Sequence, residues 1–229
     1  MQPVLVKGVW VAIAAYNEAG VIARVIADVR CRGFPVVLVD DGSADATADV
    51  AKRAGAVVVR HPVNLGQGAA LQTGIEFALS EGAAVIVTFD ADGQHRGADV
   101  AGLVDALAEH GVDYALGSRF LGGAVNLPPA RRLLLKAATW FTRIISGLSL
   151  TDTHNGLRAM TRRGASAVCL RQNRMAHASE ILNQIAASGL KYVEVPVTIE
   201  YSPYSLAKGQ KLGDALSILV DLSARRLHR

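Results

Sequence analysis

The chain has 229 residues, 51% hydrophobic and 19% charged, with a formal net charge of +4 and a pI near 9.3. That length allows one large domain, or one domain with an appendage, and the composition excludes a disordered chain. The mild basic excess suits a phosphate-bearing partner, but aromatic residues are only 5% of the chain, too few for the stacking platforms of a nucleic-acid groove, so no nucleic-acid partner is expected.

Residues 8–15, within "GVWVAIAAYNE", read as a buried strand. Apolar residues at 21, 22, 25, 26 and 29 recur at helical spacing, and Gly33 closes that helix. "FPVVLVDDGS" is a second short apolar run, after which Asp45 caps a helix bearing Ala48, Ala51 and Ala54 on one face. "AVVVR" is a third strand, 68–80 a helix, "AAVIVTFD" a fourth strand, 97–109 a helix and "VDYALGSR" a fifth strand. Strands alternate with helices and are apolar throughout, which predicts an α/β fold with a mostly parallel sheet covered on both faces. After Arg119, "FLGGAVNLPP" reads as a loop from its Gly and Pro content. A basic and apolar helix follows over "ARRLLLKAATWFTRIISGL", then a strand and short helix through "TDTHNGLRAMTRRGA". Next come a helix ended by Gly189, a strand "LKYVEVPVTIEY" whose Pro196 marks an edge or a bulge, and an amphipathic helix over 209–228.

Cys31 and Cys169 stand too far apart for a metal or redox motif, and reduced thiols in a cytoplasmic protein are expected. No apolar run approaches the ~20 residues of a membrane span. Val9–Ala15 is too short for a signal-peptide core and runs straight into Asn17 and Glu18.

In open parallel sheets ligands bind at the carboxyl ends of the strands. Here those ends are polar: Tyr16-Asn17-Glu18, Asp40-Asp41-Gly42-Ser43, Asp90-Ala91-Asp92 and Gly117-Ser118-Arg119. Asp90, Asp92 and the amide oxygen of Gln94 are hard ligands suited to Mg²⁺ or Mn²⁺, although a lone Asp-x-Asp is more simply a turn. His95 alone is better read as a hydrogen-bonded structural histidine. One Asp at the second strand end could accept from a ribose or base, or serve the turn. "NLGQGAALQTG" is no dinucleotide fingerprint, because Leu71 stands where a glycine is needed. It leaves a loop into a helix whose N-terminus could face an anion, or one that merely lets the helix pack closely. Arg119 could clamp a phosphate or make a salt bridge, and Glu180 could act in a site or lie on a helix surface. Asp152, His154, Asn155 and Arg158 cluster in "TDTHNGLR" and suggest a second half-site.

Taken in order, "AYNE", "VDDGSADAT", "NLGQGAALQTG", "DADGQH", "GSRF", "DTHNGLR" and "SEIL" resemble the family 2 glycosyltransferases of GT-A fold, and within them the dolichyl- or polyprenyl-phosphate sugar transferases. The resemblance spans nearly the whole chain. It implies a GT-A domain over 1–208, with 1–119 as the nucleotide-sugar half and 120–208 as the acceptor half, followed by the helix over 209–229. It also implies an inverting, metal-dependent transfer from a nucleoside diphosphate sugar, GDP- or UDP-linked, to a polyprenyl phosphate. By the same resemblance, Ala14, Ala15, Tyr16, Glu18, Asp41, Gly68, Asp90, Ala91 and Asp92 line the nucleotide sugar. Asp90, Asp92 and Gln94 hold Mg²⁺ or Mn²⁺, Arg119, Arg158 and Lys208 face phosphate, and Asp92, Arg119, Asp152 and Glu180 carry the catalytic roles. The group's Arg and Ser-Lys after "EVPV" are altered here, with Ala207 before Lys208, which bears on the acceptor and not on the fold. Transfer to a glycan or small-molecule hydroxyl, and a non-catalytic nucleotide-sugar-binding subunit of a membrane partner, stay open as alternatives. The basic and apolar helices at 131–148 and 209–228 suit either packing on the sheet or a peripheral position at the cytoplasmic face of the membrane, on lipid or on a small membrane protein. Self-association into a homo-oligomer is left open.

Overall fold

The computed structural model describes residues 8–171 and 176–208. In chain order the elements are β1 (Val9–Ala15), α1 (Ile22–Arg30), β2 (Val36–Asp40), α2 (Thr47–Arg53), β3 (Val57–Arg60), α3 (Gln67–Ser80), β4 (Val85–Asp90) and α4 (Asp99–Glu109). Then follow β5 (Tyr114–Val125), α5 (Pro129–Ser146), β6 (Arg158–Thr161), α6 (Arg162–Ser166), α7 (Ala176–Ser188), β7 (Tyr192–Glu200) and α8 (Pro203–Lys208). The seven strands form one sheet in the order β3-β2-β1-β4-β6-β5-β7. Its pairs are parallel except where β6 runs antiparallel between β4 and β5.

Both sheet faces are covered, which is why the central strands are apolar without alternation. On one face Val11, Ile13, Val87 and Phe89 pack against Ile22, Ile26 and Val29 of α1 and Val100 and Leu103 of α4. On the other, Ala12, Ile86, Leu116 and Met160 pack against Leu71 and Ile75 of α3 and Ile181 and Ile185 of α7. Asp45 serves α2 from just outside it, its Oδ1 accepting the Thr47 N–H at 3.0 Å. The helix expected over 209–228 lies outside the described residues.

One expectation is corrected. Residues 120–125 are not a loop but the continuation of β5, and Gly123–Val125 pair with Thr198–Glu200 of β7. The glycines there serve a bulge: between the pairs Ser118–Pro196 and Gly123–Thr198, β5 carries four residues against Val197 alone. A Cβ on Gly122 would sit 2.3 Å from the Val197 carbonyl oxygen, so only glycine fits. The bulge also accommodates Pro196, which lacks the donor a regular ladder needs. Arg119 is its first residue, and the bend sets that side chain's direction.

Candidate active site

Strand register assembles the polar ends along one edge. Ala15 is level with Asp40, Ala14 with Asp90, and Arg158 with Thr88 on one side and Leu116 on the other. Ala14 and Asp90 are therefore direct neighbours, and the buried Arg158 is two residues from the end of β4. Thr88 Oγ1 donates to the Gly156 carbonyl at 2.7 Å and ties the two strands together beneath the site.

Asp90 and Asp92 lie at the centre. Asp90 Oδ2 is 2.9 Å from His95 Nε2, and Gln67 Nε2, on the first residue of α3, reaches Asp90 Oδ1 at 3.4 Å. The α3 N-terminus and its buried Gly68 are thereby brought to the carboxylate pair, where unpaired helix N–H groups favour an anion. Asp92 Oδ1 accepts the Gln94 N–H at 3.0 Å. Burial, then the charge of Asp90, pushes the Asp92 carboxyl up to about 6, against weaker opposition from His95 and the Gln94 N–H. Two crowded carboxylates of this kind fit a divalent cation, which would relieve the repulsion between them. Among the described residues no three His, Cys, Asp or Glu side chains form a complete cage. That suits Mg²⁺ or Mn²⁺, which take one or two carboxylates and fill the remaining positions with water and substrate phosphate. Ala91 is buried between them, and His95, held edge-on to Phe89, is the hydrogen-bonded histidine expected.

The loop after β1 is stitched to the loop after β2. Asn17 N–H donates to Ser43 Oγ at 2.9 Å, Asn17 Oδ1 accepts from Ala44 N–H at 2.9 Å, and Glu18 N–H donates to Thr47 Oγ1 at 2.7 Å. These bonds hold Asn17 at φ 55, in the left-handed region that asparagine tolerates. Tyr16 is left 44% exposed over the edge. Glu18 is buried and accepts at Oε2 from Tyr204 of α8 at 2.7 Å, so the segment after β7 closes back over this loop. Asp41 turns away from the cleft. Its Oδ1 takes His61 Nδ1 at 2.8 Å and Leu65 N–H at 2.9 Å, and its Oδ2 takes Gly66 N–H at 2.7 Å. In this structure it shapes the loop into α3, and a contact with base or ribose would require those bonds to exchange.

Arg119 and Asp152 form a buried ion pair at 2.6 Å. Asp152 Oδ2 also accepts the Arg119 N–H at 3.1 Å, and its Oδ1 the His154 N–H at 3.2 Å. Arg119 donates further to the Tyr201 hydroxyl at 2.6 Å and the His154 carbonyl at 2.8 Å. Burial alone would lower the Arg119 pKa, but Asp152 and Tyr201 outweigh it and the net direction is upward. His154 goes the other way: burial, with Arg119 and Arg158 nearby, brings it down to about 4 despite Asp152. Burial lowers Arg158 to about 10, resisted by Asp90 and Asp152, so it stays cationic at neutral pH and spans the two carboxylate centres electrostatically. Both oxygens of Glu180 accept the Arg171 N–H, at 3.1 and 3.0 Å. Lys208 ends α8, and its side chain is not among those described.

Sequence reasoning missed Glu194, Tyr201 and Gly156. Glu194 on β7 accepts from Thr151 N–H at 2.8 Å and Asp152 N–H at 3.1 Å, and so positions Asp152. Gly156 lies against Asp90, where a Cβ would come within 2.2 Å of Oδ2. An "EVPV" strand advertises packing, and only its alternation could have pointed Glu194 to the Asp152 side.

The glycosyl transferase family 2 model matches residues 10–167. An uncharacterized protein of Methanocaldococcus jannaschii is 34% identical, covering 96% of this chain and 92% of its own length. The polyprenol monophosphomannose synthase of Mycolicibacterium smegmatis is 30% identical, with 96% of this chain and 88% of that protein covered. The UDP-N-acetylglucosamine–dolichyl-phosphate N-acetylglucosaminyltransferase of Methanococcus voltae is 29% identical over 89% of this chain and 90% of its own. The structure of glucosyl-3-phosphoglycerate synthase from Mycobacterium tuberculosis, in complex with Mn²⁺, UDP-glucose and phosphoglyceric acid, superposes with a TM-score of 0.68. It is 19% identical and covers 95% of this chain and 79% of that one, a likeness of fold, and the fold is GT-A. Because the matched segment contains both the Asp90–Asp92 strand end and the Arg119–Asp152 pair, the architecture and the chemistry point the same way, and the chain belongs to glycosyl transferase family 2.

Proposed function

We propose that this glycosyltransferase moves a sugar from a nucleoside diphosphate sugar to the phosphate of a polyprenyl lipid, with inversion at the anomeric carbon. The observation that carries the reading is the occupancy of the carboxylates across the cleft. A hydroxyl acceptor needs a general base within hydrogen-bond reach. Asp152 is engaged by Arg119 and the His154 N–H, and Glu180 by the Arg171 N–H, so neither is presented as a base. A phosphate acceptor is already ionised near neutral pH and needs none; positioning and charge stabilisation suffice.

In this reading Asp90 and Asp92, with Gln94 beside them, hold Mg²⁺ or Mn²⁺. When bound, the cation stabilises the charge that develops on the departing nucleoside diphosphate. Ala14, Ala15, Tyr16 and Glu18 form the wall along which the nucleotide lies, and the α3 N-terminus at Gly68 faces its phosphates. Asp41 contributes by holding the loop that leads into α3. Arg158 supplies a fixed positive charge between donor and acceptor sides, and Arg119, held by Asp152 and Tyr201, supports it. Lys208 would meet the incoming phosphate from α8. The names of relatives that act on dolichyl and polyprenyl lipids support this acceptor class.

The test is direct. Purified protein is incubated with Mn²⁺, a panel of UDP- and GDP-sugars and short polyprenyl phosphates, and product is followed by mass. Transfer to the lipid phosphate is expected, with loss of roughly 10³-fold in Asp92→Ala. Full activity in Asp92→Ala would sink the metal assignment, and transfer to sugar hydroxyls but not to lipid phosphate would sink the acceptor.

A further inference from the structure

A cavity of about 690 Å³ lies between α6, the stretch that follows it and the C-terminal half of α7, a volume in the range of small-molecule sites. Its residues Ser188 and Leu190 lead into β7, whose start at Tyr192 is level with Tyr114, the first residue of β5. The cavity therefore lies toward the opposite edge of the sheet from Asp90. Its frame is fixed by side chains that are already engaged. Gln184 clamps Cys169 from both sides, Oε1 accepting its N–H and Nε2 donating to its carbonyl, each at 2.6 Å. Glu180 takes the Arg171 N–H with both oxygens, and Ser188 Oγ accepts the Leu190 N–H at 3.2 Å. Two guanidinium groups remain on the lining. Arg163 is oriented by its Nη2, which donates to Asp113 at 2.8 Å, and its side chain is otherwise 71% exposed. Arg171 is exposed and donates to the Cys169 side chain; that bond, and then the charge of Cys169, raise its pKa. No acidic side chain lines the cavity among the described residues, and Ala167, Ala187 and Leu190 give it an apolar flank.

We propose that this cavity binds a small phosphorylated molecule, with Arg163 and Arg171 on its phosphate and Ala187 and Leu190 against its organic part. Charge and shape select the ligand. A phosphate dianion matches two guanidinium groups in charge, and its oxygens accept the paired N–H bonds that the planar fork offers. The two cations share one space with no carboxylate on its wall, so an anion between them relieves their repulsion. The frame is held by Gln184, Glu180 and Ser188 before any ligand arrives, which keeps the ordering cost of binding small. The site is separate from the carboxylate pair and does not depend on which donor or acceptor the enzyme uses. Cys169, exposed and on the lining, reports its occupancy.

The experiment follows alkylation of Cys169 by iodoacetamide, a neutral reagent, by mass. It uses the full chain with Cys31→Ser, since Cys31 is also exposed. Inorganic phosphate, glucose 1-phosphate and glucose are the probes, in EDTA and at an ionic strength held constant with chloride. Both phosphates are expected to slow alkylation saturably, and glucose to leave it unchanged. Arg163→Gln and Arg171→Gln should each raise the midpoint about 10-fold, as the loss of one charged hydrogen-bonding group predicts. Both arginines are exposed, so these variants should fold, and thermal melts verify it. Asp92→Ala should be protected like wild type, whatever the transfer assay shows. Failure of both phosphates to protect overturns the proposal, as does an unchanged midpoint in Arg171→Gln. Protection by chloride alone overturns it as charge screening, and protection lost in Asp92→Ala overturns it by placing the phosphate at the carboxylate edge.

Discussion

Asp92→Asn should make the metal-free protein more stable while making the enzyme inactive. The substitution keeps the oxygen that accepts the Gln94 N–H and removes the charge that burial and Asp90 oppose. Raising a carboxyl from 3.8 to about 6 corresponds to about 3 kcal/mol against its ionised form. The carboxylate is only partly buried, and solvent screening reduces the recoverable amount to about 1–2 kcal/mol. The sign follows from proton binding. Above pH 6 the native state holds an ionised Asp92 at full cost, while the unfolded chain ionises freely near 4. As pH falls from 6 to 4 the native state takes up its proton first and the cost fades, so the advantage of the variant should shrink by about half at pH 5. Urea denaturation in EDTA at pH 7.5 and pH 5 reads this directly, with unchanged m-values as the check on two-state behaviour. Saturating Mn²⁺ with nucleoside diphosphate should reverse the order, since only wild type gains binding energy. A variant less stable than wild type at pH 7.5 without metal, or a gap that does not change with pH, would refute the reasoning.

Other outcomes follow from the same geometry. Asp152→Asn strands the buried Arg119 cation and should cost about 3–5 kcal/mol in urea, and a double-mutant cycle with Arg119→Met should show strong coupling; additive losses would mean the ion pair is not the source. Gly156→Ala places a methyl against Asp90 and should lower kcat/KM about 100-fold at little change in Tm, measured by steady-state kinetics and thermal melts. Tyr204→Phe removes the hydrogen bond to Glu18, worth about 1 kcal/mol, and should weaken nucleotide-sugar binding about fivefold by calorimetry; an unchanged Kd would detach α8 from the donor site.

The fold was largely legible because central strands buried on both faces leave an unmistakable run such as "VVLVD", and their alternation with helices implies parallel pairing. The extension of β5 was not, because Gly122 and Gly123 carry the composition of a loop and their use in a bulge depends on Val197, far along the chain. At the site, the carboxyl-edge rule placed Tyr16, Asp90 and Arg119 along one edge of the sheet. It could not say which way a side chain turns once there. Asp41 follows a strand end like Asp92, yet backbone N–H groups of Leu65 and Gly66 draw it inward. Arg119 reads equally as a phosphate clamp or a salt-bridge residue until Asp152, Tyr201 and the His154 carbonyl are seen around it. Glu194 is hidden in an apolar strand, and its role depends wholly on long-range pairing.

The antiparallel strand β6 has a consequence for biosynthesis. Thr88 and its register partner Arg158 are 70 positions apart. At elongation rates of about 5–20 residues per second, β4 leaves the ribosome several seconds before its neighbour exists. During that interval β4 and the first part of β5 present bare hydrogen-bonding edges, flanked by apolar side chains, to every other nascent chain nearby. The last four-residue strand to enter the sheet's middle thus acts as a keystone: translation that stalls between residues 125 and 158 would release an aggregation-prone fragment, whereas a stall after residue 161 would release one whose central edges are already sealed.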